Sequence, residues 1–170
     1  MKDIKDQIAE KFVELTLKNN KTNISVKEIC AETLVSRTTF YKYFKDSYSV
    51  IEYIFIQDSM ESMDILVKNH LGARVIMENW FCSFLKHREF YKIAIVEEGQ
   101  NSFFETVIQT VEEYNKKLFS PQYNGEELEY CAYKYAALQV MLLKKWIKDG
   151  MKASPEMIAE CFLKDYLHLC

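Results

Sequence analysis

The run Ser36-Arg37-Thr38-Thr39-Phe40-Tyr41-Lys42-Tyr43-Phe44 holds the side chains best suited to recognition in this chain of 170 residues. On a helix, Phe40 and Phe44 share one side, four residues apart. The outward side chains are then Arg37, Thr38, Thr39, Tyr41, Lys42 and Tyr43, with two cations and no acid. A guanidinium binds guanine O6 and N7 as a fork, and a threonine bonds a base edge or touches a thymine methyl. Ser36 stands where an N-cap belongs, and the helix N-terminus behind it favours phosphate. The plain alternative is a solvated face on an ordinary helical bundle.

Other chemistry finds little support. The four glycines, Gly72, Gly99, Gly125 and Gly150, lie at least 25 residues apart. That spacing writes no phosphate loop and no Gly-x-Ser-x-Gly nucleophile turn. His168 follows Cys161 by seven residues and Cys170 ends the sequence, but the paired spacing of a zinc finger is missing. Cys82 and His87 stand about 140° apart around a helix. Glu97 and Glu98, as neighbours on a helix, diverge by about 100° and read as a solvated helix end rather than an acid pair. The expectation is a protein that is not an enzyme, with no metal and no cofactor. Five cysteines, odd in number and scattered, fit no disulfide framework.

The elements that would position the Ser36 run are helical throughout. Ile4, Ile8, Phe12 and Leu15 form one stripe. Ser25-Val26-Lys27-Glu28 reads as a capping box that opens a short helix with Val26, Ile29 and Cys30 inward. Ser36 caps the next helix. Asp46-Ser47 starts another, with Val50, Ile51, Ile54 and Phe55 on one face, running to about Asn69. Further helices are expected over 73–86, 88–97, 101–119, 126–149 and 154–168. Asn124-Gly125 is a turn signal, Gly150 a helix stop, and Ser154-Pro155-Glu156 a helix start. Glycine and proline number six together, which argues against a turn-rich β protein. The expected fold is all-α with about nine helices: an N-terminal three-helix helix-turn-helix domain at 1–47 and a helical-bundle regulatory and dimerisation domain at 48–170. Two short helices behind a longer one describe a helix-turn-helix unit, whose second helix enters the DNA major groove.

Residues 4–55 resemble the DNA-binding domain of TetR-family transcriptional regulators. The resemblance rests on Ser25-Val26-Lys27-Glu28-Ile29-Cys30 and on Val35-Ser36-Arg37-Thr38-Thr39-Phe40-Tyr41-Lys42-Tyr43-Phe44-Lys45-Asp46. It implies a homodimer on double-stranded operator DNA. It also implies base and phosphate contacts from Ser36, Arg37, Thr38, Thr39 and Tyr41, and phosphate contacts from Tyr43, Lys45 and Ser25. Lys42 joins them on the outward face. Two positions depart from the family pattern. Leu34 stands where glycine is usual in the turn, and Ser47 where a lysine often begins the fourth helix. The second removes one phosphate cation.

The body is similar, on fewer residues, to the branch that includes dihydroxyacetone-kinase operon regulators: Phe90-Tyr91-Lys92, Ser102-Phe103-Phe104, and Trp146 to Gly150 followed by Ser154-Pro155-Glu156. The family resemblance implies a small-molecule effector in this domain. Candidate lining residues are Trp80, Phe84, Tyr91, Phe103, Phe104, Tyr114, Tyr133, Met141 and Trp146, with plain core packing as the alternative. The last two helices carry apolar residues on more than one face, which calls for a second cover. Leu128, Tyr135, Leu142, Ile158, Cys161, Phe162, Tyr166 and Leu169 are the candidates for a two-fold dimer interface. A repressor released by its effector is the leading reading. The alternative is a co-regulator of the same fold that binds a protein partner instead of a small molecule.

Charge agrees with a basic front on an acidic body. Residues 1–48 carry nine Lys/Arg against seven Asp/Glu, and the rest thirteen against eighteen, for a net −3. No stretch approaches the ~20 apolar residues of a membrane helix, and the polar start lacks a signal-peptide core. A cytoplasmic protein without a membrane partner is expected.

Overall fold

Side-chain caps set where most of the first helices begin in the computed structural model, which describes residues 3–95 and 103–166. Asp3 caps α1 (Ile4–Asn19) by accepting from the Lys5 amide. Ser25 and Glu28 form the expected capping box at the head of α2 (Val26–Thr33). Ser36 caps α3 (Arg37–Tyr43), and Asp46 with Ser49 forms a second box at α4 (Ser47–Phe55). Each cap satisfies amides that the first helical turn leaves without a partner.

From Ser47 to Lys68 the chain is one rod: α4, a π-helical turn at Ile56–Met60, and α5 (Glu61–Lys68). The sequence predicts that rod but not its π turn. Then follow α6 (Ala73–Ser83), α7 (Arg88–Ala94), α8 (Phe103–Phe119), α9 (Gly125–Lys148) and α10 (Pro155–Tyr166). With the rod counted once, the described residues make nine helices and no strand. Helix α9 ends as expected at Gly150, whose φ is +81°. The Gly150 amide donates to Ile147 and the Met151 amide to Trp146, the two bonds of a Schellman ending.

One apolar core runs the length of the molecule. It joins Ile8, Phe12, Ile29, Phe40 and Val50 of the first four helices to Trp80, Phe84, Leu143, Trp146 and Phe162 of the body. Helix α4 is shared: it packs on α1 at one end and meets α8 in the body. Tyr53 Oη, on α4, donates to Asp6 Oδ1 of α1 at 2.8 Å. The rod therefore joins the first helices to the body. Among the described residues, no helix is long and apolar enough to cross a membrane.

Candidate nucleic-acid interface

Helix α3 has only seven residues, too few to hold itself in water. Burial fixes it. Phe40 and Phe44 are buried with ring centroids 5.7 Å apart, and Phe44 meets Tyr53 of α4 edge-on at 5.6 Å. Their burial leaves the other side in water. Arg37, Thr38, Tyr41, Lys42, Tyr43 and Lys45 are all exposed. Among the described residues, neither Arg37, Lys42 nor Lys45 forms an ion pair. Their charges face outward uncompensated.

The hydroxyls divide by task. Ser36 Oγ accepts from the Thr39 amide at 3.0 Å and lies 2.8 Å from Thr39 Oγ1. Ser25 Oγ accepts from the Glu28 amide while Glu28 Oε2 accepts from the Ser25 amide at 2.9 Å. The Ser25 hydroxyl also donates to Glu28 Oε2, and this bond first, with the Ser25 amide second, lowers the Glu28 carboxyl from its ordinary value. Ser25, Ser36 and half-buried Thr39 thus shape the helix starts, and Thr38 is the hydroxyl of this group without that duty. The turn between α2 and α3 passes through Leu34 at φ +58°, ψ +22°, with its side chain 94% exposed. A left-handed leucine that packs on nothing stands where glycine is usual. Ser47 opens α4 half-buried, with Asp46 as its cap.

In the body, most of the candidate lining residues lie in the core. Trp80, Phe84, Tyr91 and Trp146 are buried, and they pack against aromatic rings. Trp80 lies 4.9 Å from Phe84, Phe84 lies 5.0 Å from Tyr91, and Phe81 lies 5.8 Å from Trp146. Such edge-to-face spacing is that of a filled core. Phe104 is buried beneath Lys144, whose Nζ stands 4.8 Å from its ring. Tyr114 is half-buried, and desolvation pushes its phenol up to about 12. Tyr133 and Met141 are exposed. The side chain of Phe103 lies outside the described residues.

Several candidates for a dimer interface turn inward in the single subunit. Phe162 is buried, and Tyr135, Leu142 and Ile158 pack on the subunit's own core. Leu128 is half-buried; Cys161 is exposed. The Tyr166 side chain and Leu169 lie outside the described residues, as do His168, Cys170, Glu97 and Glu98. The apolar residues left in water are Tyr130, Tyr133, Leu138 and Met141 on α9, and Met157 on α10. The helix faces both ways, so spacing alone did not say which stripe its own core would take.

One polar cluster escaped the sequence reading. Asp58, in the π turn, has a side chain only 1% exposed. It accepts from Tyr91 Oη at 2.8 Å, pairs with His87 Nδ1 at 2.7 Å, and meets Lys86 Nζ at 3.4 Å. Burial and the Asp58 charge push the Tyr91 phenol well above its ordinary value. The signal was present: Asp58 lies four residues after Ile54, on the apolar stripe of the rod. A carboxylate on such a stripe demands buried partners. Beside it, a cleft of about 180 Å3 opens between Asp6, Glu10, Tyr53, Gln57 and His87.

Cys30, Cys82, Cys131 and Cys161 are free thiols. Burial raises the Cys30 and Cys82 thiols, away from the thiolate a nucleophile needs. No group of three or more His, Cys, Asp or Glu among the described residues is placed to hold a metal ion.

Comparison with known proteins agrees with this geometry. The TetR-type family model described as a transcriptional regulator C-terminal region matches residues 74–164, just over half of the chain. The HTH-type transcriptional regulator YxbF of Bacillus subtilis strain 168, itself uncharacterized, is 27% identical over 168 residues, covering 91% of this chain and 42% of its own length. The chain thus spans about two fifths of that relative. In fold it is similar to a protein described as a TetR-family transcriptional regulator from Syntrophomonas wolfei str. Goettingen (TM-score 0.65, 16% identity, 97% of this chain and 93% of that one). It is also similar to NalD, the secondary repressor of the MexAB-OprM multidrug efflux pump in Pseudomonas aeruginosa (TM-score 0.61, 18% identity, 96% and 94% covered).

Proposed function

We propose that this chain, which belongs to the TetR family of transcriptional regulators, is a homodimeric repressor that reads double-stranded operator DNA with α3 and lets go when a small effector binds its C-terminal helical domain. The observation that carries the DNA reading is the outward face of α3. Two buried phenylalanines hold Arg37, Thr38, Tyr41 and Lys42 in water, with no acid among them and, among the described residues, no ion pair on either cation. Arg37 and Thr38 open the helix and address base edges. Tyr41, Lys42, Tyr43 and Lys45 flank them toward phosphates. Residues 1–47 serve as the reading head and 48–170 as the body.

The dimer reading rests on the α9 and α10 face. Tyr130 is 75% exposed and Met141 54%, with Tyr133, Leu138 and Met157 beside them. Exposed apolar side chains gathered on neighbouring helices mark an interface. A second copy across a two-fold axis would cover it and set two heads about 34 Å apart, one turn of duplex. Fluorescence anisotropy against DNA upstream of the protein's own gene tests the first reading. A sequence-preferring complex that weakens steeply with salt is expected; no preference at low salt overturns it.

The same tyrosine-rich strip also favours a second reading, a co-regulator whose strip receives another protein. Sedimentation decides between them: a dimer at micromolar concentration supports the first, and a monomer the second.

A further inference from the structure

A pocket of about 80 Å3 opens in the body, lined among others by Met63, Met77, Phe119, Tyr135, Gln139 and Phe162. Its wall is apolar except for two amides and a phenol. The Asn115 amide is engaged, since Nδ2 donates to the Ala132 carbonyl at 3.3 Å. The Gln139 Nε2 is not. Gln139 is 2% exposed, and among the described residues its Nε2 has no hydrogen-bond partner. Cores rarely keep a buried amide donor unpaired, because its desolvation is uncompensated. No carboxylate, lysine or arginine lines the space, so a charged occupant would find no counter-ion.

We propose that this pocket binds a small, uncharged, mostly apolar molecule bearing one acceptor oxygen, of the short ketone class, whose oxygen accepts from Gln139 Nε2. A cavity of this volume takes about three or four heavy atoms, by comparison with the six of benzene held in an apolar cavity near twice the size. Met63 and Met77 have flexible side chains that yield to a slightly larger guest. The position gives the guest leverage. Met63 lies on α5, at the far end of the rod that begins at Ser47 beside the reading helix. Tyr135 and Gln139 lie on α9, and Phe162 on α10, the helices that carry the proposed dimer strip. A guest that fits one packing of these helices better shifts the molecule toward it. Binding itself stands independently of the repressor reading; only its consequence at DNA rests on that reading.

The test uses the full chain with methyl-labelled methionine and acetone as probe, with isobutene as the apolar control. Acetone is expected to shift the Met63 and Met77 methyl signals saturably. Gln139→Leu, which deletes the donor, is expected to weaken that binding at least tenfold and to bind isobutene as well as or better than the parent. Gln139→Met is the second variant should the leucine disturb folding. Silent methyl signals, or an acetone affinity equal in parent and variant, overturn the proposal. Saturable binding that leaves operator affinity unchanged overturns the effector role. Failure of the unliganded protein to bind DNA overturns the repressor reading instead, with the methyl signals still deciding the pocket.

Discussion

The reading head and the body use the same aromatic residues for opposite ends. In the head, Phe40 and Phe44 are buried so that Tyr41 and Tyr43 stay in water beside Arg37 and Lys42. In the body, Trp80, Phe81, Phe84, Tyr91 and Trp146 pack on one another, and the polar chemistry left over among the described residues is small and hidden: the buried Asp58 carboxylate, and Trp80 Nε1, Tyr114 Oη and Gln139 Nε2 without partners. Head chemistry is local, written within nine consecutive residues. Body chemistry is assembled from segments far apart in the chain. The head should therefore lose function without losing stability, and the body the reverse.

The largest effect expected is on the head. Arg37→Ala with Lys42→Ala removes two cations per subunit. A good base-edge contact is worth about 1–3 kcal/mol, and the proposed dimer would forfeit it twice, so operator affinity should fall at least about thirtyfold. The salt dependence should flatten by about one unit for each phosphate that is no longer neutralised. The melting temperature should not move, because both side chains are exposed and unpaired. A melting temperature that falls with affinity would erase the contrast between the two regions.

Asp58→Ala makes the complementary prediction. It strips the acceptor from Tyr91, His87 and Lys86 at a buried site. Loss of such a network costs about 3 kcal/mol, a drop of roughly 6–12 °C in melting temperature at this chain length. Tyr91→Phe removes one hydrogen bond to a charged group and should cost less, about 1.5–3 kcal/mol. Calorimetry checks both. Because Asp58 sits in the rod shared by head and body, an operator affinity that falls only as far as the folded fraction does would place its role in packing. A larger fall would place it in holding the angle of the head.

The body also carries an alkaline limit. The phenols of Tyr91 and Tyr114 are raised above their ordinary value of 10, Tyr114 to about 12, both chiefly by burial. Below pH 10 each is neutral whether the chain is folded or unfolded, so their contribution is fully present. Above pH 10 the unfolded chain sheds these protons while the folded chain holds them, and stability falls with rising pH. Urea midpoints should be level in this respect up to pH 10 and then decline toward pH 12. Tyr114→Phe should remove part of the decline. A midpoint that rises across that interval would contradict the burial of both rings.

Legibility followed the same division. Helix ends were readable because caps are local chemistry: Ser25 with Glu28, Ser36, Asp46, Gly150 and Ser154 all sit where the chain turns. The Ser36 run was readable because burial of two phenylalanines four apart fixes the opposite face. The body's faces were not readable. Helix α9 is apolar on two sides, and only the tertiary packing shows that Tyr135 and Leu142 turn inward while Tyr130 and Met141 turn out. The π turn at Ile56–Met60 left no signal of its own, since it depends on how Asp58 finds partners about thirty residues away.

Leu34→Gly is the smallest effect and the sharpest test of the head. Leu34 holds φ +58° with 94% of its surface in water, so its side chain contributes almost no packing. A left-handed conformation costs a residue with a Cβ about 1–2 kcal/mol. Glycine relieves that strain but enlarges the unfolded ensemble, returning about 0.5–1 kcal/mol. The net is a stabilisation of less than about 1 kcal/mol, a rise of roughly 2 °C for a chain this long. Calorimetry on the single variant reads it. The turn also sets the angle between α2 and α3, and leucine confines it more narrowly than glycine does. If stability rises while operator affinity stays level, the leucine is tolerated strain. If stability rises while affinity falls, the strain holds the reading helix in its working direction.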